Sequence, residues 1–281
     1  MSVRIIVDST ADLSDRIKGK LTVVPLTLRF GNEEFTDGVD ITKTEFYEKL
    51  IESDTMPSTS QANIDDFDKV FAEICANGDR AVVLTVSSKL SGTYNSARIA
   101  SEDYPGKIFV VDSQSVSIGI GILAEVALEL AIDGCTAEYI AEYLEEEKKR
   151  VKIIAMFDTL EYLRRGGRIS KTAAVAGGLL SIKPVITLID GEITILGKAR
   201  GSKQANNFLV SEIASAGGID FRKPLLLGYT GLSDATLKKY IEDSADIYNG
   251  HIDYPDYTII GSVVGTHAGP GAIGIAFWQN N

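Results

Sequence analysis

Two hydrophobic patterns alternate along the first half of the chain. Continuous apolar runs, typical of strands buried on both faces of a parallel sheet, occupy residues 3–7, 81–86 and 108–111. Apolar residues at helical spacing, every three or four positions, occupy residues 64–75, 116–132 and 137–144. Because strands and helices alternate, this half is predicted to form a parallel-sheet α/β domain with right-handed crossovers.

The pattern changes in the second half. A hairpin is predicted around Asp190-Gly191, and a small-residue helix at 172–181 precedes it. Further on, the sequence predicts a strand over Tyr257–Val264, a glycine loop over residues 265–272 and a closing strand over Ile273–Phe277. We therefore predict an α/β domain in residues 1–157 and an α+β domain in residues 158–281, with a ligand tunnel between or within them.

Two hydroxyl-rich segments interrupt the N-terminal pattern. Residues 56–63 are predicted to be a loop that a helix follows, and Leu21–Phe30, which contains Pro25, is predicted to be an edge strand. Residues 87–97 come directly after a buried strand and open a helix, which is where open α/β sheets bind ligands. Hydroxyls and free helix-start amides there favour an anionic, oxygen-rich group, although Ser91 could equally serve only as a helix cap.

Composition narrows the classes of function. The chain has 281 residues and a net charge of −11, which argues against binding nucleic acid or membranes through bulk charge. Cys75 and Cys135 are predicted to be buried thiols of a reducing compartment, and no metal-binding motif is present. The N-terminal strand does not resemble a signal peptide, and residues 116–132 are predicted to be a core helix, so we expect a cytoplasmic protein.

Three short segments carry candidate chemistry: Thr59-Ser60-Gln61, Ser91-Gly92-Thr93 and Thr266-His267-Ala268-Gly269. A serine and a histidine suggest a serine-type esterase that uses Ser91 and His267, yet no GxSxG motif or orienting aspartate accompanies them. The glycine-rich segment could instead hold a phospholigand in a regulator, although it lacks the lysine of a P-loop.

One basic cluster stands out in this acidic chain. It consists of Arg164, Arg165, Arg168 and Lys171, and Arg200 could join it. Such a run is either a solvated turn or a patch that contacts phosphate or a partner.

Several motifs, in this order along the chain, resemble those of the DegV family. They are Val7-Asp8-Ser9-Thr10-Ala11-Asp12-Leu13, Pro57-Ser58-Thr59-Ser60-Gln61, Ser87-Ser88-Lys89-Leu90-Ser91-Gly92-Thr93-Tyr94, Gly166-Gly167-Arg168-Ile169, Ile182-Lys183-Pro184 and Gly265-Thr266-His267-Ala268-Gly269-Pro270-Gly271. The resemblance covers nearly the whole chain.

The resemblance implies a protein that encloses one long-chain fatty acid and is not itself an enzyme. It is similar to the binding subunit of bacterial fatty acid kinase, which presents the carboxyl group to a separate ATP-dependent kinase subunit. No cofactor is implied, and ligand exchange would allow transient membrane contact. Thr59 and Ser91 would hold the carboxyl group and His267 would complete its hydrogen bonds. The remaining ligand-binding positions would be Ser60, Gly92, Thr93 and Gly269, while Arg164, Arg165, Arg168, Lys171 and Arg200 would face the partner or the new phosphate.

Overall fold

The computed structural model describes residues 2–170 and 181–280. The strands, in chain order, are β1 (Val3–Asp8), β2 (Thr22–Val24), β3 (Thr27–Phe30), β4 (Glu33–Thr36), β5 (Ser58–Ser60), β6 (Arg80–Thr85), β7 (Ile108–Asp112), β8 (Val151–Met156), β9 (Ile182–Ile189), β10 (Glu192–Arg200), β11 (Leu226–Tyr229), β12 (Tyr257–Ile259) and β13 (Ile273–Trp278). The helices are α1 (Lys43–Glu52), α2 (Ile64–Ala76), α3 (Thr93–Ser101), α4 (Ile118–Ile132), α5 (Ala137–Glu147), α6 (Glu161–Arg165), α7 (Gly201–Ser215), α8 (Ala235–Asp243), α9 (Ala245–Tyr248) and α10 (Ser262–Ala268).

The first sheet has the strand order β2-β1-β6-β7, and all its neighbouring strands are parallel. Successive residues of β1 face opposite sides of this sheet. Ile5 and Val7 pack in the core that contains α4 and α5, whereas Ile6 packs with α2 and α3. Burial on both faces explains why these strands are continuous apolar runs, and the predicted parallel α/β architecture is confirmed.

The second sheet has the order β10-β9-β8-β13-β11-β12 and is antiparallel except for the β11–β12 pair. Successive residues of β8 also face opposite sides of this sheet. Ile154 and Met156 pack against α7 and α8, while Ile153 and Ala155 join the core that contains α4. The buried part of α4, Ile118–Ala127, thus lies between the two sheets, which confirms its interpretation as a core helix.

Strand β8 bears on the predicted domain boundary. It pairs with β13 on one side and with β9 on the other, in the middle of the second sheet. A boundary after residue 157 therefore leaves β8 in the N-terminal segment, although its hydrogen bonds are all to C-terminal strands. The division at this residue remains a prediction.

A small antiparallel sheet of order β4-β3-β5 corrects two sequence predictions. The single strand predicted over Leu21–Phe30 is instead two strands, β2 and β3, in different sheets, because Pro25 cannot donate to a continuous ladder. The predicted loop at 56–63 contains β5, which pairs Thr59 with Leu28 of β3. Thr59 is therefore held by a sheet and not by a free loop.

The C-terminal region also differs from its prediction. The hairpin of β9 and β10 is confirmed, and both turn residues, Asp190 and Gly191, have positive φ angles of 49° and 82°. The strand predicted over Tyr257–Val264 is wrong, because β12 ends at Ile259 and α10 follows. The β-branched pair Val263-Val264 favours a strand locally, but packing of α10 against α1 overrides that preference.

Helix α10 also replaces the first half of the predicted glycine loop, since residues 265–268 are helical. At Gly265 an added Cβ would lie 2.6 Å from the Tyr47 hydroxyl of α1, so glycine permits the close approach of the two helices. The helix predicted at 172–181 lies, apart from Ser181, outside the described residues. Within the described ranges, none of the helices is long and apolar enough to cross a membrane.

Candidate functional site

A cavity lies between the two sheets, beside the N-terminal end of α4. Its walls are mainly aliphatic and come from both halves of the chain. The apolar lining residues are Leu26, Val86, Leu90, Val116, Ile118, Ile153, Ala155, Phe157, Leu163, Ile186, Leu188, Ile193, Ile260, Val263, Val264, Ala268, Ala272 and Ile273. A cavity with this lining suits a largely apolar small molecule.

A polar cluster interrupts this apolar lining. Its members are Thr59, Ser60, Gln61, Ser91, Arg168 and His267. They lie in or beside β5, in the segment before α3, in the turn after α6 and in α10. The structure thus brings together candidate residues whose convergence the sequence could not predict.

Three other hydroxyls on the cavity wall donate to groups of the protein itself. Thr10 Oγ1 donates to Asp8 at 2.5 Å, and Ser117 Oγ donates to Asp12 at 2.7 Å. Thr230 Oγ1 is 3.4 Å from the carbonyl oxygen of Ala272. Because these protons are engaged, that part of the wall offers a ligand less hydrogen-bonding capacity than its composition suggests.

The polar cluster is organised by the contact between Thr59 and His267, whose Oγ1 and Nε2 atoms are 2.9 Å apart. The other ring nitrogen, Nδ1, is buried and has no hydrogen-bond partner among the described residues. A buried N–H without an acceptor is costly, so we assign the proton of the neutral ring to Nε2. His267 then donates to Thr59, and the Thr59 hydroxyl proton is free to donate to a ligand oxygen.

The charge state of His267 follows from its surroundings. Burial, together with the nearby positive charge of Arg168, lowers the pKa of His267 to about 4. The imidazole is therefore neutral at physiological pH, and Arg168 is the cationic member of the cluster.

Arg168 is held in place by backbone carbonyls. Its Nε donates to the carbonyl oxygen of Leu90 at 3.1 Å, and Nη1 donates to that of Gly166 at 2.6 Å. Burial lowers the pKa of this guanidinium below its ordinary value. Gly166 also faces His267, since an added Cβ at Gly166 would lie 2.1 Å from Nδ1. Gly166 thereby fixes the spacing between the arginine turn and the imidazole.

Ser91 lies on the cavity wall one residue before the N-cap of α3, which is Gly92. Its Oγ is 2.9 Å from Thr93 Oγ1 and accepts a weak hydrogen bond from the Thr93 amide at 3.3 Å. Thr93 is fully buried behind Ser91, and an added Cβ at Gly92 would overlap the Gln61 side chain. Thr93 and Gly92 therefore support the cavity residues and do not line the cavity.

Gly269 is likewise outside the cavity lining. It ends α10 with a φ of 70°, and an added Cβ would lie 2.2 Å from the ring of Tyr162. Its role in the structure is to end the helix close to an aromatic ring.

The described members of the predicted basic cluster make different contacts. Arg164 and Arg165 both pair with Glu161, and the hydrogen bonds from these arginines lower the pKa of Glu161 to about 2. Arg200 is exposed at the start of α7, away from the cavity lining. Arg168 alone of the four described arginines lies on the cavity wall, and Lys171 lies outside the described residues.

Sequence reasoning missed the wall that the second sheet supplies. The sequence predicts a domain boundary at the short apolar run of β8 and does not predict that Ile153 and Ala155 alternate toward the cavity. A usable signal was the presence of Gly228 and Gly274 inside strands, since glycine there marks a close approach of another group. Both line the cavity, as neighbours across β11 and β13.

Comparison with known proteins identifies the family. The family model described as "Uncharacterised protein, DegV family" matches residues 2–280. The chain belongs to the DegV family. A DegV domain-containing protein of Caldanaerobacter subterraneus is 35% identical over 280 residues, which cover 98% of each chain.

Solved DegV structures share the whole fold. A fatty-acid-binding DegV family protein from Thermus thermophilus superposes with a TM-score of 0.88 at 31% identity, covering 100% of both chains. A stearic-acid-binding protein from Eubacterium ventriosum superposes with a TM-score of 0.86 at 29% identity, covering 99% of this chain and 98% of the other. The mixed α/β architecture predicted from the sequence is therefore that of the DegV family.

The cavity of this DegV protein lacks the arrangement of a serine esterase. His267 bonds Thr59 and not Ser91, and Nδ1 has no carboxylate partner in the part of the chain that is described. A serine nucleophile needs both contacts for activation. The described geometry thus favours holding a ligand over acyl transfer to Ser91.

Proposed function

We propose that this protein binds one long-chain fatty acid and presents its carboxyl group to a separate, ATP-dependent fatty acid kinase subunit. The observation that carries the proposal is the aliphatic cavity with a single polar cluster of hydroxyls, a neutral histidine and one arginine. The DegV relatives from Thermus thermophilus and Eubacterium ventriosum, described as binding fatty acid and stearic acid, support the choice of ligand.

The physical chemistry of the cavity suits such a ligand. Burial of an acyl chain contributes about 0.8 kcal/mol per methylene, on the order of 10 kcal/mol for a long chain before ordering costs. The carboxylate would accept hydrogen bonds from the hydroxyls of Thr59 and Ser91, with Arg168 balancing its charge. Neutral His267 orients the Thr59 hydroxyl without adding a second cation.

The presented carboxyl group would act as a nucleophile. One carboxylate oxygen attacks the γ-phosphorus of ATP on the kinase subunit, the bond from that phosphorus to the β–γ bridging oxygen breaks, and ADP leaves with the electron pair. The product is an acyl phosphate. In this scheme Arg165 and Arg200, which are exposed and outside the cavity, contact the kinase subunit in the cytoplasm. Ligand exchange would involve transient contact with a membrane.

Native mass spectrometry of the purified protein tests the ligand. We expect one bound fatty acid per chain, and one equivalent of palmitate taken up after delipidation. The double substitution Val263→Trp, Ile153→Trp fills the cavity and serves as the non-binding control. A protein that carries no lipid and takes up neither palmitate nor oleate would contradict the proposal.

A reconstituted reaction tests the presentation step. Protein, palmitate, ATP and the kinase subunit are mixed, and acyl phosphate is trapped with hydroxylamine as the hydroxamate. We expect the double variant Arg165→Ala, Arg200→Ala to bind palmitate normally but to form the hydroxamate several-fold more slowly, since fewer charges steer the encounter. Lys20→Ala, at another exposed cation, is the matched control. If the wild type binds palmitate normally but forms no hydroxamate, the proposed ligand stands and the proposed role with a kinase subunit is contradicted.

A further inference from the structure

A surface cleft lies directly outside the fatty acid cavity. The two share three wall residues, Leu90, Arg168 and Ile193. The guanidinium of Arg168 is fixed in this shared wall by the carbonyl oxygens of Leu90 and Gly166. Arg168 is therefore common to the polar cluster of the cavity and to the cleft.

The cleft is positively charged in a chain that is strongly negative. Among the described residues it is lined, besides Arg168, by Lys89 and Lys198 and by one carboxylate, that of Glu192. Lys89 and Lys198 are exposed, and neither forms an ion pair with any residue in ranges 2–170 and 181–280. This contrasts with Arg164 and Arg165, which share the carboxylate of Glu161. The cleft therefore retains an excess of two positive charges.

We propose that this cleft is an anion subsite in which Lys89, Lys198 and Arg168 hold the phosphoryl group of an acyl phosphate. The inference rests on the proposed function and adds to it a site for the product. Phosphorylation extends the ligand beyond the carboxyl carbon and raises its negative charge. Hydroxyls that satisfy a carboxylate do not neutralise that added charge, whereas cations at the cavity mouth do.

Two ligands that differ at the phosphoryl group distinguish binding in the cleft from binding of the carboxyl group in the cavity. One is palmitate, and the other is the β-ketophosphonate analogue of palmitoyl phosphate, in which a methylene replaces the labile anhydride oxygen. Affinities are measured by calorimetry on delipidated protein for the wild type and for the double variant Lys89→Ala, Lys198→Ala. Lys18→Ala, Lys20→Ala removes two exposed lysines outside the cleft and serves as the charge-matched control.

We expect the cleft variant to bind the phosphonate about fivefold more weakly, because two partly exposed charge contacts are lost, and to bind palmitate within about twofold of the wild type. The control variant should change neither affinity, and the loss should shrink at higher salt. If the cleft variant loses affinity equally for both ligands, or loses it for neither, the proposed subsite is overturned. Binding of neither ligand by the wild type would instead overturn the proposed function itself.

Discussion

Thr59 and His267 are 208 positions apart in the chain, yet their side chains share a hydrogen bond of 2.9 Å on the cavity wall. Thr59 is fixed by pairing of β5 with β3, and His267 is fixed on α10 by packing against α1. The position of each residue therefore depends on the packing of a different part of the protein. Their contact makes the polar cluster sensitive to small changes in either support.

Removal of a single hydroxyl from the polar cluster should weaken ligand binding without unfolding the protein. We expect Thr59→Ala and Ser91→Ala each to lower the affinity for palmitate about tenfold, because one hydrogen bond to a charged group contributes about 1.5 kcal/mol. Fluorescent fatty acid displacement measures the affinity. Thr194→Ala, in β10 and outside the cavity lining, is the control. If the Thr59, Ser91 double variant binds normally, the carboxyl site lies elsewhere.

Gly166 should act as a positioning residue for His267. In Gly166→Ala the new methyl would overlap Nδ1, so the imidazole must move and the Thr59 contact is lost. We expect a loss of palmitate affinity similar to that of Thr59→Ala and a shifted imidazole resonance in NMR spectra. At Gly167, where φ is +72° and no atom lies within 4 Å of an added Cβ, alanine should cost about 1 kcal/mol of stability but leave affinity and resonance unchanged.

The lowered pKa of His267 should make it a source of acid instability. The unfolded imidazole binds a proton near pH 6.5, whereas the folded one does so near pH 4. The contribution of His267 to the free energy of unfolding is fully present above about pH 6.5. It declines, by up to about 3 kcal/mol, as the pH falls toward 4. Urea unfolding across this range should show a shallower decline for His267→Gln. His251→Gln, at an exposed histidine, should follow the wild type.

Asp37 should give the free energy of unfolding the opposite dependence on pH. Burial, only partly offset by the nearby hydroxyls of Ser9 and Ser262, raises the pKa of Asp37 to about 6. Between about pH 4 and pH 6 the folded state therefore binds more protons than the unfolded state, and stability falls as the pH rises. We expect Asp37→Asn to remove up to about 3 kcal/mol of this dependence. Parallel curves for the wild type and Asp37→Asn would show that the carboxyl titrates normally, and exposed Asp103→Asn is the control.

The sequence predicts the first sheet well because its strands are buried on both faces and are therefore unbroken apolar runs. It mispredicts the surroundings of His267, since Val263-Val264 favours a strand until α10 packs on α1. The convergence of Thr59, Ser91 and His267 depends on long-range packing and has no local signal. The pairing of Arg164 and Arg165 with Glu161 does have one, because these residues are spaced three and four apart on a helix.

The position of β13 has a consequence for biosynthesis. It lies between β8 and β11, although residues 273–278 follow both of these strands in the chain. Before β13 has been translated, β8 and β11 lack their common neighbour, and the cavity lacks the wall formed by Ile273 and Gly274. We therefore expect a ribosome-bound nascent chain to fold its first sheet early but to acquire its ligand only after β13 has emerged from the ribosome.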